Sequence, residues 1–161
     1  MQIWRLSCIL VLFIVINGLD GKTVDSVTQR KRGLYFGLMI SCETGRSFVD
    51  YLDYGCFCGL GGKGIPVDKL DTCCYEHDNC YGDLVEKKLC HLEISTYSIT
   101  YKYTGCSTCA EPNQYSWWDS FGYESVACRK ALCDCDSVAA RCFKNSPFNN
   151  HFKHYDQDKC V

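Results

Sequence analysis

The chain has 161 residues, 47% of them hydrophobic and 22% charged, which is the length and composition of one globular domain with a modest core. Seventeen lysines and arginines against nineteen acids give a formal net charge of −2, which excludes a broad electrostatic pull toward nucleic acid or strongly anionic membranes. Fifteen cysteines exclude a reducing compartment for a stable fold and point to a disulfide-stapled, loop-rich chain.

The N-terminus carries an apolar run, Ile9 to Ile16, behind Arg5, with the small residues Gly18 and Gly21 beyond it. This reads as a secretory signal peptide over residues 1–21, since the apolar run from Ile9 to Ile16 is too short for the ~20 residues that span a bilayer. Its loss removes Cys8 and leaves fourteen cysteines, an even set able to form seven bridges. Gln29-Arg30-Lys31-Arg32 precedes an apolar segment, so residues 22–32 read as a propeptide cut after Arg32, or else as a solvated linker that is never cut. From Gly33 onward, 12 basic residues stand against 17 acids, a net charge of −5.

Leu34, Tyr35, Leu38 and Met39 recur at helical spacing and predict a short amphipathic helix from Gly33 to Glu43, with core packing as its plain role. Phe48 to Leu52 is a short helical or extended link. The stretch from Tyr54 to Tyr81 then dominates the chain. Four glycines (Gly59, Gly61, Gly62, Gly64) between Cys58 and Pro66 allow a sharp turn whose carbonyl oxygens face one point, the kind of donor that a hard cation takes. Pro66 presets φ, Asp68 can cap, and Asp71 suits the first turn of a helix running from about Leu70 to Lys88. On it His77 and Tyr81 share a face, while Asp78 is turned by about 100° from His77 and is the candidate acid for a cation held by the glycine loop.

Ile94 to Thr104 is rich in β-branched and aromatic residues and predicts a hairpin closed by Gly105-Cys106. The next segment, Cys109 to Ser125, carries Tyr115, Trp117, Trp118, Phe121 and Tyr123 among polar residues; such aromatics serve either a lipid headgroup interface or packing onto the hairpin. A second long helix is predicted from about Glu124 to Phe143. Its Cys135 and Cys142 are seven apart, as are Cys73 and Cys80 on the first helix. Antiparallel helices clamped by Cys73–Cys142 and Cys80–Cys135 are therefore geometrically natural, with rungs roughly 10.5 Å apart, although spacing alone does not decide connectivity. In that arrangement His77 lies midway between the rungs, facing the second helix near Val138, with Asp136 about half a turn away. The tail from Phe148 to Val161 is polar and aromatic, with Cys160 tying it back.

The strings CFCGLGG and CCYEHDNCY, followed by ALCDCD and AARCF at Ala131 to Asp136 and Ala139 to Phe143, resemble the calcium loop and the two catalytic helices of secreted phospholipase A2, nearest to its pancreatic-type (group I) subset. The resemblance covers nearly all of Gly33 to Val161 and is weakest from Tyr97 to Ser125. It departs at the first helix, where alignment on Met39-Ile40-Ser41-Cys42 leaves the segment one residue short and without the usual glutamine. It implies a mainly α, disulfide-rich fold: two antiparallel disulfide-linked helices, a calcium loop, an N-terminal helix and a small two-stranded β-wing, forming a catalytic domain over 33–161. It also implies the bridges 42–106, 56–160, 58–74, 73–142, 80–135, 90–128 and 109–133.

The same resemblance implies calcium (Ca2+) held by Asp78 and the carbonyls of Phe57, Gly59 and Gly61. It gives His77 the role of general base, Asp136 that of its orienting carboxylate, Tyr81 and Tyr101 that of flanking tyrosines, and the Gly59 N–H a place in an oxyanion hole. The implied activity is hydrolysis of the sn-2 ester of a glycerophospholipid at a membrane or micelle interface by a secreted monomer, with no nucleic-acid partner. The residues by themselves agree with water as nucleophile, since no G-x-S-x-G elbow is present and an even cysteine set leaves no spare thiol. A helix histidine alone is more often a packing or surface residue, and His91, His151 and His154 read as surface histidines without partners. A non-catalytic binding protein or toxin on the same scaffold would be expected to have lost His77 or Asp78, and a zinc module would need reduced thiolates.

Overall fold

The computed structural model describes residues 34–59, 61–91, 99–122 and 124–161. The expected signal peptide, propeptide and cut after Arg32 lie outside the described residues, as do Leu60, Tyr123 and residues 92–98, which include the first part of the expected hairpin.

Helix α1 spans 34–44. It ends where Thr44 Oγ1 turns back to the Ile40 carbonyl at 2.7 Å and the Gly45 N–H donates to the Ser41 carbonyl. The predicted apolar stripe splits: Met39 is fully buried, whereas Leu34 and Leu38 are 50% and 46% exposed. The inward face is carried by Tyr35 and Met39 of that stripe together with Phe36 and Ile40. A short 3-10 turn over Phe48–Tyr51 leads into the glycine-rich loop.

Helix α2 runs Lys69–Glu86, with Asp68 as its N-cap accepting from the Asp71 N–H at 2.8 Å. It stops two residues before the expected Lys88, which takes φ 56° and ends the helix in the left-handed region. Helix α3 runs Val126–Lys144, capped by Ser125, whose Oγ accepts from the Cys128 N–H at 3.1 Å. Glu124 was expected inside α3; it is instead buried ahead of the cap. The two helices pack together and are cross-linked by Cys73–Cys142 and Cys80–Cys135. All seven bridges implied by the resemblance are present.

Two short antiparallel strands, β1 (Tyr103–Thr104) and β2 (Thr108–Cys109), pair Tyr103 with Cys109 and Thr104 with Thr108. Gly105 therefore lies in the turn of the hairpin, with φ 59°, rather than after its second strand. The wing is fastened by Cys42–Cys106 to α1, by Cys109–Cys133 to α3, by Ser107 Oγ donating to Glu43 at 2.6 Å, and by the Ser137 hydroxyl of α3 donating to the Ser107 carbonyl. The tail follows with 3-10 turns at Asn150–Phe152 and Gln157–Lys159, and Cys160 bonds to Cys56 at the start of the glycine loop.

Candidate active site

Two residues of α2 and one just before β1 meet at a single buried carboxylate of α3. Asp136 is 1% exposed. Its Oδ1 lies 2.6 Å from His77 Nε2 and accepts the Tyr81 hydroxyl at 2.7 Å, while its Oδ2 accepts the Tyr101 hydroxyl. An isolated buried carboxylate costs several kcal/mol, so three donors around one acid are what keeps it tolerable there. Burial, and then the Asp136 charge, hold the Tyr101 phenol well above the usual tyrosine range. That hydroxyl stays protonated and can only donate to the carboxylate.

The local geometry follows from helical periodicity. His77 and Tyr81 are one turn apart on α2, and their rings sit 4.5 Å apart. The Cys73 and Cys80 rungs flank His77 and hold α3 against α2, so Asp136, next to Cys135, reaches the imidazole at 2.6 Å. With Nε2–H donating to a carboxylate, the lone pair is on Nδ1. The phenyl ring of Phe36 on α1 stacks on the imidazole at 4.2 Å with 13° between planes. Tyr35, its neighbour, packs against Tyr101 and Tyr103 at 5.4 and 6.2 Å. Neither Phe36 nor Tyr35 was singled out as a site residue from the sequence; the adjacency of two aromatics on a half-amphipathic helix was the one available signal.

The glycine loop is pinned by a residue read only as a helix-start acid. Asp71 is fully buried, and its carboxylate accepts the backbone N–H groups of Cys56 and Phe57, both at 2.8 Å, and of Val67 at 2.9 Å. It thus closes both ends of the loop on the first turn of α2. Gly55 makes room for it: with φ 60°, a Cβ there would sit 2.3 Å from the Asp71 carboxyl carbon. The Cys58–Cys74 bridge adds a covalent tie from loop to helix.

Within that loop Phe57 is buried, and Gly59 and Gly61 have φ values of 153° and 69°. Asp78 is half-buried on α2 beside His77. Backbone carbonyls together with one carboxylate would be an all-oxygen donor set, the chemistry that suits calcium. Among the described residues, the one cluster of ligating side chains is Cys90, Glu124 and Cys128. Its two sulfurs are bonded to each other, so no thiolate is left for a metal.

One histidine differs from its sequence reading. His91 is exposed but has a partner: its N–H and Nδ1 face the buried Glu124 carboxylate at 2.8 and 3.0 Å. The 33-residue separation explains why sequence spacing hid the pair.

A family model described as phospholipase A2 matches residues 34–153. The chain is 35% identical over 159 residues to phospholipase A2 A2-hormotoxin-Apt1a of Adamsia palliata, covering 94% of this chain and 93% of that one. It is 44% identical over 114 residues to basic phospholipase A2 3 of Bungarus caeruleus (71% and 74% covered), and 36% identical over 162 residues to phospholipase A2 AP-PLA2-II of Acanthaster planci (94% and 98% covered). With the helix pair, the seven bridges and a family match across three quarters of its length, this chain belongs to the phospholipase A2 family.

Proposed function

We propose that the protein is a secreted, calcium-dependent phospholipase A2 that hydrolyses the sn-2 ester of glycerophospholipids to a lysophospholipid and a free fatty acid. The observation that carries this reading is the imidazole of His77, bonded through Nε2 to a buried carboxylate that two tyrosines also hold. Nδ1 takes a proton from water as that water attacks the ester carbonyl, and Asp136 stabilises the imidazolium that forms. Tyr81 and Tyr101 keep Asp136 fixed, and Phe36 keeps the ring plane fixed. The same proton is returned to the leaving alkoxide, so the protein ends unchanged.

Phe57, Gly59 and Gly61, through their carbonyls, and Asp78, through its carboxylate, are the residues that would hold calcium. When bound, the ion supplies a Lewis acid for the ester carbonyl and a counter-charge for the phosphate. The N–H of Gly59 is the candidate second donor to the oxyanion. Placement in the pancreatic-type subset is supported by the Cys42–Cys106 bridge, and an extracellular location by seven disulfides. The same reading includes removal of residues 1–21 and 22–32, and action as a monomer.

The test is hydrolysis of mixed phospholipid vesicles with calcium, with EDTA, and after calcium is restored. Wild type is expected to be active, silenced and active again; His77→Gln and Asp78→Lys are expected to be inactive with all bridges formed. Near-normal turnover in either variant would sink the mechanism.

A further inference from the structure

The segment between the wing and α3 carries an aromatic cluster that the catalytic site does not use. Trp117, Trp118 and Phe121 sit on one 3-10 turn, Trp117–Phe121, and are 60%, 68% and 72% exposed. Their rings contact one another, at 3.8 Å between the tryptophans and 5.0 and 6.0 Å to Phe121. Packing onto the hairpin is the work of a different residue, Tyr115, whose hydroxyl accepts the Lys102 N–H at 3.0 Å.

The turn is held rigidly. The Asp119 carboxylate accepts from Ser116 N and Oγ at 2.6 and 2.8 Å and from Lys102 Nζ at 2.7 Å. Lys102, first of all, and then Ser116 hold that carboxyl at about 2, so it remains charged and paired. Lys102 lies between Tyr101, which bonds Asp136, and Tyr103, which packs on Tyr35 of α1. The aromatic turn is therefore braced against a wall of the catalytic site.

Three large rings on one rigid turn are a costly surface in water unless something covers them. Two observations identify the cover. The charges beside the rings are of both signs: Asp119 pairs with Lys102 at 2.7 Å, and Lys130, held by Asp134 at 2.8 Å, lies 3.7 Å from Glu111, so the turn presents no block of positive charge within a domain of net charge −5 (12 basic against 17 acidic residues from Gly33). Exposed tryptophans favour the headgroup layer of a bilayer, and Trp117 and Trp118 stand side by side on this turn. A surface that is neutral overall, polar at its edge and apolar beneath fits both.

We propose that Trp117, Trp118 and Phe121 form an anchor that inserts into the headgroup layer of a zwitterionic phosphatidylcholine surface, apart from the residues that act on the scissile lipid. This rests on the lipid-hydrolase reading only for the identity of the surface. In a chain cut after Arg32, Trp117 and Trp118 are the only tryptophans, so their fluorescence reports on the turn alone.

The experiment uses vesicles of dialkyl-ether phosphatidylcholine, which have no ester to cleave, with and without bromine on the chains. Blue-shifted emission, quenching by the brominated chains and a loss in partitioning on the order of 100-fold for Trp117→Ser/Trp118→Ser/Phe121→Ser are expected. The triple variant should hydrolyse a dispersed short-chain phospholipid within about two-fold of wild type. Unquenched wild-type emission overturns the proposal whether or not the variant folds; so do unchanged partitioning of a folded variant, tighter binding to phosphatidylglycerol vesicles, and a concentration-dependent dimer that the triple substitution abolishes. Quenching by the ether lipid with no hydrolysis of ester vesicles retains the anchor and removes the enzymatic reading.

Discussion

Replacing Asp71 with asparagine tests the clamp that seats the glycine loop. The carboxylate accepts three backbone N–H groups at 2.8 to 2.9 Å in a site closed to solvent: Oδ2 serves Cys56 and Val67, and Oδ1 serves Phe57. An amide keeps one acceptor oxygen, and the less costly orientation places it where Oδ2 was. That leaves the Phe57 N–H facing an NH2 group, an orphaned buried donor worth about 1–3 kcal/mol, and demotes the two remaining bonds from charge-assisted to neutral at about 0.5–1 kcal/mol each. Relief from burying a charge offsets part of this, so Asp71→Asn should destabilise by about 2–4 kcal/mol. The bridges Cys56–Cys160 and Cys58–Cys74 still tie the start of the loop to the tail and to α2, so the chain should fold with its disulfides intact. The measurement is guanidinium unfolding with bridges intact, together with a calcium titration; the variant should also bind calcium more weakly, since Phe57 is a candidate ligand. A loss below about 0.5 kcal/mol would refute the argument that the carboxylate carries the loop.

Tyr81→Phe and Tyr101→Phe each remove one donor from Asp136 and should each cost about 1–2 kcal/mol of stability and a few-fold in turnover. Because both hydroxyls hold one carboxylate, the double variant should lose more than the sum, readable in a double-mutant cycle. Phe36→Ala removes the ring stacked on His77 and should cost about 1–3 kcal/mol and lower kcat more than it changes KM; Phe36→Leu should restore most of the stability but less of the kcat. The Ser107 hydrogen bond, and then Lys144, hold the Glu43 carboxyl below its usual value of 4.5. A depressed folded-state value contributes stability above pH 4.5 that disappears as pH falls through the lowered value. Glu43→Gln should therefore be less stable than wild type at pH 7, with the difference closing in acid, as followed by thermal melts. A difference that is constant with pH would show that the wing's tie to α1 is not ionic.

The parts of the fold that could be read ahead of the structure are those governed by short-range periodicity. The seven-residue spacing of Cys73 and Cys80 matches that of Cys135 and Cys142, and the two helices do form with those rungs joined. Helix ends were off by one or two residues, because Lys88 turns into the left-handed region and Ser125, rather than Glu124, caps α3. The turn of the wing was displaced too, since β-branched residues mark a strand but do not register its partner.

What the sequence determined alone was the order of the motifs and the faces set by helical repeat: His77 and Tyr81 on one side, the cysteines above and below, and an even cysteine set from Cys42 onward. Tertiary structure alone decided which acids those faces would meet. Asp71 reaches backbone N–H groups fourteen and fifteen residues away, and Glu124 reaches His91 across thirty-three. It also decided that Leu34, Leu38 and the Trp117–Trp118–Phe121 turn would face outward, although composition marks them as core material. Periodicity orients a side chain relative to its own helix; burial depends on what distant chain is brought against it, and no local pattern encodes that.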